Sequence, residues 1–214
     1  TCTKDKKWGK SVIDKFCQYL TSRIRKEMPE VDDERAEVIM YGLQVIIGEI
    51  PKGFIILAIA FLLGIFKPAL ISMLIIAPYR CVSGGFHVKT HIGCILNTFL
   101  LYGGTAILAK YIVLQGISKY IIAFVVWTFC MIMLKLYAPA DTENVPILRK
   151  QERRQKQIMS YVILTVEFII ALTINNPFIT SVIIFGDLIQ TLTITRLAYN
   201  ITNNKYGHEV YANI

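Results

Sequence analysis

Charge is scarce in this chain. Asp, Glu, Lys and Arg make up 18% of its 214 residues, while apolar side chains make up 54%; soluble domains carry about 25% charged residues. A chain this short has too little interior to hide that much apolar surface, which excludes a soluble globule and a disordered chain alike. Paired cysteines are also missing. The five cysteines, Cys2, Cys17, Cys81, Cys94 and Cys130, are odd in number and irregularly spaced, with no CxxC, so no disulfide framework is expected. There is no HExxH motif, no internal repeat, and no Gly/Ser linker or low-complexity tract. The first apolar run starts near Ile39, behind a charged stretch, so no cleavable signal peptide is expected.

What remains is long apolar runs in succession. Ile39 to Phe66 is interrupted by Glu49, Pro51 and Lys52. Pro68 to Ala77 is short for a span, and is read as tilted, extended through Arg80, or re-entrant. Ile95 to Ala109, Ile117 to Leu136, Ile158 to Ile174 and Phe178 to Tyr199 follow. A crossing needs about 20 apolar residues. The fold expected is all-α, a polytopic membrane bundle of about six transmembrane segments. Ahead of it, Gly9 to Glu27 places apolar residues at helical spacing on a basic background, which suits an amphipathic interfacial helix or one packed on the protein's own loops. The acidic patch Glu30, Asp32, Asp33 and Glu34 reads as a helix start. One domain is expected, with a charged region 1–36, a bundle 37–199 and a tail 200–214.

The charges that are present are clustered. With six crossings, 19 of the 23 Lys and Arg fall on the side that holds both termini, the loop 80–94 and the loop 138–157. Positive charge marks the cytoplasm, so both termini and those two loops are expected inside the cell membrane. The basic segments flank apolar runs, so they suit anionic lipid headgroups, and no nucleic-acid partner is expected.

Chemistry concentrates in Arg80-Cys-Val-Ser-Gly-Gly-Phe-His-Val-Lys-Thr-His-Ile-Gly-Cys94. A thiol beside an imidazole can carry out nucleophilic acyl transfer, the imidazole taking the proton and leaving a thiolate. Gly84 and Gly85 allow backbone geometries closed to other residues, and could aim N–H groups at an oxyanion. On one straight helix His87 and Cys94, seven apart, would be separated by about 10.5 Å along the axis. Proton transfer needs about 3 Å, so pairing them requires a bend. His91, three residues before Cys94, is the competing base. His87, His91, Cys94 and Cys81 also have a spacing open to zinc, and the same polar residues could simply satisfy a buried turn.

These residues resemble a known family. Arg80, Gly85, His87 and Cys94 match R-x4-G-x-H-x6-C of the accessory gene regulator B family, membrane cysteine endopeptidases of bacterial quorum sensing. Residues 137–147, Tyr-Ala-Pro-Ala-Asp-Thr-Glu-Asn-Val-Pro-Ile, are similar to that family's A-P-x-D-x4-P-I segment and precede a basic run. The resemblance implies an enzyme that removes the C-terminal tail of a short precursor peptide and cyclises the remainder to a thiolactone or lactone. Cys94 would be the nucleophile and His87 the base, with Arg80, Gly84, Gly85 and Asp141 in support and no cofactor. Asp141 could orient an imidazole or cap the turn before Pro146. A homodimer is implied as well. The rival readings are a peptide transporter or binding protein without covalent chemistry, and a metal-dependent membrane protease.

Three carboxylates, Glu49, Glu167 and Asp187, fall inside apolar runs and are functional suspects by position. Lys52 lies one turn beyond Glu49, Asp187 is expected to contact another span, and Glu167 has no evident partner.

Overall fold

The computed structural model describes residues 12–28, 30–86, 88, 91–143 and 146–211, and among them every regular element is a helix. The chain forms two compact units, Thr1–Ile56 and Leu57–Ile214.

The first unit holds helix α1, Val12–Glu27, and the start of α2, Asp33–Leu62. α1 turns Cys17 and Thr21 inward and leaves Phe16 and Tyr19 exposed. The acidic patch does start a helix: Asp32 Oδ1 accepts from the Arg35 N–H at 2.8 Å, capping α2. Arg25 reaches across the turn to Asp33 at 2.7 Å.

The second unit contains the remaining helices: α3 Phe66–Ser83, α4 His91–Phe99, α5 Thr105–Tyr111, α6 Gly116–Tyr137, α7 Lys150–Thr173, α8 Pro177–Thr193, α9 Arg196–Ile201 and α10 Gly207–Tyr211. A π-turn at Leu100–Gly104 joins α4 to α5, giving one helical segment from Gly93 to Tyr111. Among the described residues four helices are long and apolar enough to cross a membrane, and Ile50–Leu62 and Pro177–Thr193 are shorter apolar helices. The protein is an all-α membrane bundle.

Three boundaries differ from those read off the hydropathy. The first apolar run is not one span from Ile39 to Phe66. α2 runs unbroken through Pro51 and stops at Leu62, where Gly64 takes φ 70°, and Phe66 opens α3. The short second run extends through Arg80, becoming an 18-residue helix. The last span ends at Thr193 rather than Tyr199. Beyond it the chain turns and folds into α9 and α10, so 194–211 is a structured segment.

α8 sits at the centre of this unit. It is capped by Asn176, whose side chain accepts from Ile179 N–H, with Pro177 in the first turn. Its small polar residues tie the neighbours to it. Thr180 donates to Ala171 O of α7 at 3.0 Å, Ser181 accepts from Leu114 N–H at 2.8 Å, and Thr191 meets Tyr79 of α3 at 2.7 Å. Gly186 has no room for a side chain, since a Cβ there would lie 2.7 Å from Ile76. Outward, large apolar side chains such as Leu74, Phe124, Val162 and Ile169 stand exposed. Polar centre and apolar exterior are what a lipid solvent selects, since water drives nothing inward there.

Candidate functional site

α3 terminates where the sequence says it must. Gly84 takes φ 76° and donates its N–H back to Arg80 O at 3.0 Å, ending the helix at Ser83. Gly85 takes φ 143°, and neither it, Phe86 nor Val88 is helical; α4 begins at His91. The chain therefore leaves helical geometry ahead of Cys94. Cys94 lies one turn into α4, half-buried and free of any disulfide, with its carbonyl accepting from Thr98 Oγ1 at 2.8 Å. His87 lies outside the described residues, as does the side chain of His91.

One neutral side chain organises the end of α3. Gln190 on α8, fully buried, accepts from Arg80 Nη1 at 2.8 Å. Its amide nitrogen donates to Gly84 O at 2.8 Å and Ser83 Oγ at 3.1 Å. Arg80 Nη2 adds a longer bond to Phe86 O at 3.4 Å. The partners of Arg80 among the described residues are thus a neutral amide and a backbone carbonyl.

The two glycines allow a close backbone approach. Gly85 N–H donates to Ala140 O at 3.0 Å, Ala140 N–H to Ser83 O at 2.9 Å, and Phe86 N–H to Thr193 O at 3.4 Å. Gly84 and Ala140 form a parallel bridge. A Cβ on Gly84 would lie 2.2 Å from Ala140 O, and one on Gly85 would lie 2.7 Å from Thr193 Oγ1. The two N–H groups that could have been aimed at an oxyanion are here both bonded to backbone carbonyls, Gly84 to Arg80 O and Gly85 to Ala140 O.

Asp141, with its side chain wholly buried, is the second hub. Oδ2 accepts from Ile147 N–H at 3.0 Å, capping the turn around Pro146, and from His208 N–H at 2.8 Å. Oδ1 lies 2.7 Å from His208 Nδ1 and 3.3 Å from Arg153 Nη1. The Arg153 contact is an ion pair without aligned hydrogen-bond geometry, and Arg153 Nη2 donates separately to Pro139 O at 3.3 Å. Asp141 therefore does both jobs foreseen for it. The imidazole it holds, however, is the chain's third histidine, on the tail.

Two tyrosines complete the tail's docking. Tyr199 donates to Asp141 O at 3.1 Å and Tyr206 to Ile194 O at 2.7 Å, their rings stacked at 4.2 Å. Burial, more than the nearby Tyr206 and Asp141, pushes the Tyr199 phenol above its ordinary range. Tyr206 is shifted the same way, by burial first and Tyr137 second. Both remain O–H donors.

The structure thus gathers Arg80, Gly84, Gly85 and Asp141 around the ends of α3 and α8, with Cys94 on the next helix. Sequence reasoning missed Gln190 and His208. It also missed the partner of Glu167, which is Asp187: the two buried carboxyl groups meet between α7 and α8. Among the described residues no N–H group reaches Glu167 Oε2 or either Asp187 oxygen, and the two carboxyl groups face each other. The side chain of Glu49 lies outside the described residues.

The family model for accessory gene regulator B matches residues 17–194. An AgrB-like protein of Listeria monocytogenes serotype 4a is 27% identical over 192 residues, covering 88% of this chain and 91% of that protein. The corresponding protein of Listeria innocua is 28% identical over the same length. Accessory gene regulator protein B of Staphylococcus aureus is 28% identical over 188 residues, covering 88% and 95%. No solved structure matches the chain.

Proposed function

The chain belongs to the accessory gene regulator B family, and we propose that it is a membrane cysteine endopeptidase that trims and cyclises a short precursor peptide. The observation that carries this reading is the placement of Cys94. It is a free, half-buried thiol in the first turns of α4, the next helix after the fixed Arg80–Gly85 corner. The intervening His87 is the base implied by the R-x4-G-x-H-x6-C pattern.

The steps balance as follows. His87 takes the Cys94 proton, and the thiolate adds to the scissile carbonyl carbon. The C–N bond breaks, the imidazolium protonates the departing amine, and the peptide remains as a Cys94 thioester. A thiol of the same peptide then attacks that carbonyl, and its proton returns through His87 to the Cys94 sulfur. The product is a cyclic thiolactone, or a lactone where the peptide supplies a hydroxyl. Thioester exchange is nearly isoenergetic and hydrolysis is downhill, so water must be kept away. Apolar neighbours such as Ile95 and Leu96 suit that need, and a bound internal nucleophile outcompetes the remaining water through effective concentration.

Arg80 suits a substrate carboxylate, because its guanidinium is held by a neutral amide and keeps its charge. The excess of basic residues around 80–94 and 138–157 supports placing this face at the cytoplasmic side of the cell membrane. The test is cleavage of a precursor peptide by purified enzyme in vesicles. Loss of cleavage in Cys94→Ala supports the reading, and wild-type cleavage by that variant ends it.

A further inference from the structure

We infer that His208 is a positioning residue: clasped to Asp141, it locks the C-terminal segment against the 138–147 loop and so holds the Gly84–Gly85 corner that precedes the reacting residues. The inference rests on the peptidase reading above.

The links form an unbroken series. His208 gives Asp141 two bonds, one from its backbone N–H and one from Nδ1, to different carboxylate oxygens. With an acceptor at 2.7 Å, Nδ1 carries the ring proton. The residue before Asp141 is Ala140, whose N–H and C=O are the two bonds that bridge to Ser83 and Gly85. The carboxylate that grips the tail is thus one residue from the backbone that shapes the corner. Gly207 adds a steric lock, since a Cβ there would lie 2.4 Å from Thr142 O and 2.9 Å from Pro146. Tyr199 and Tyr206 fix the tail from the other side.

The clasp also explains a buried charge. Asp141 sits wholly inside the protein, and one arginine without aligned geometry does not satisfy it. The two His208 contacts, with the Ile147 N–H, give both carboxylate oxygens their partners. His208 lies beyond residue 194, where the family match stops, so the motif residue Asp141 is completed here by a segment outside the matched stretch.

The experiment compares wild type with His208→Ala, His208→Asn and Glu209→Gln, all full-length in lipid nanodiscs. Asn places an amide N–H near the Nδ1 position, and Glu209→Gln alters only the neighbouring pair with Arg196. Two readouts are taken: hydrogen exchange of the peptide bearing the Gly85 N–H, and the rates of Cys94 acylation and peptide cleavage. His208→Ala is expected to speed Gly85 exchange about tenfold and to lower kcat by about tenfold to a hundredfold with KM little changed. His208→Asn should recover most of both, and Glu209→Gln should match wild type. Wild-type exchange and kcat in His208→Ala overturn the clasp, and faster exchange with unchanged kcat overturns its positioning role. Should the Ala variant fail to fold, recovery of kcat by Asn supports the inference, and a folded Asn variant as slow as a Cys94 variant overturns it. A wild-type enzyme that never acylates Cys94 ends the peptidase reading and the positioning role with it, while Gly85 exchange still shows separately whether the tail holds the loop.

Discussion

Gln190 and Arg80 meet at 2.8 Å across α8 and α3, and the same Gln190 amide donates back to Gly84 O and Ser83 Oγ. A neutral residue in this place fixes the end of α3 and leaves the guanidinium its charge. A carboxylate would have cancelled that charge.

Removing the amide strands several partners at once. Gln190→Leu leaves Gly84 O, Ser83 Oγ and one Arg80 N–H without their bonds, and is expected to cost about 2–4 kcal/mol. Gln190→Glu keeps the bond to Arg80 but sets an acceptor against Gly84 O, so it too should fall below wild type. Thermal unfolding in detergent measures both, and unchanged melting in both contradicts the assignment.

The glycine corner offers an internal comparison. Gly84→Ala meets both a positive φ and Ala140 O, whereas Gly64→Ala meets a φ of 70° with nothing within 4 Å. Backbone strain alone is about 1–3 kcal/mol, so Gly64→Ala should lose about 1 kcal/mol. Gly84→Ala should lose clearly more, together with peptide cleavage. Equal losses at the two positions would show that the Ala140 approach is not a tight one.

Glu167 and Asp187 give a prediction of opposite sign. Glu167→Gln places an N–H donor that does not depend on a carboxyl proton beside the Asp187 oxygens, and is expected to raise stability by about 1–2 kcal/mol. A lower melting temperature would show that this pair is satisfied in some other way.

Orientation is tested by labelling. Arg154 is exposed near the start of α7. Arg154→Cys in a background without other accessible thiols is expected to react with a membrane-impermeant maleimide only in inverted vesicles. Reaction in right-side-out vesicles reverses the topology.

Much of this architecture was legible because it depends on local signals. Apolar run lengths gave the bundle, and the acidic patch that includes Asp32 announced the start of α2. A bend was needed to pair His87 with Cys94; Gly85, Phe86 and Val88 are not helical, while His87 itself lies outside the described residues. Hydropathy failed at Leu62 and Thr193, because an apolar run continues through a turn that backbone geometry has already made. The longest-range pairings left no local trace. Asp141 and His208 stand 67 residues apart, and Arg80 and Gln190 stand 110 apart. Neither Gln190 nor His208 belongs to a motif, and no periodicity distinguishes a buried amide that holds a helix end from one that does not. The glycine pair signalled unusual backbone correctly, but the group that takes the Gly85 N–H is Ala140 O, more than fifty residues away in sequence.

The central claim is a covalent bond to one sulfur, and mass spectrometry reads it directly. Enzyme is mixed with a precursor peptide encoded beside its gene, quenched in acid and digested. The account expects the fragment containing Cys94 to gain the mass of the peptide without its C-terminal tail, in a linkage released by neutral hydroxylamine and absent in Cys94→Ala. Cleaved peptide in the Cys94→Ala reaction, or an acyl group on any other residue, would contradict it.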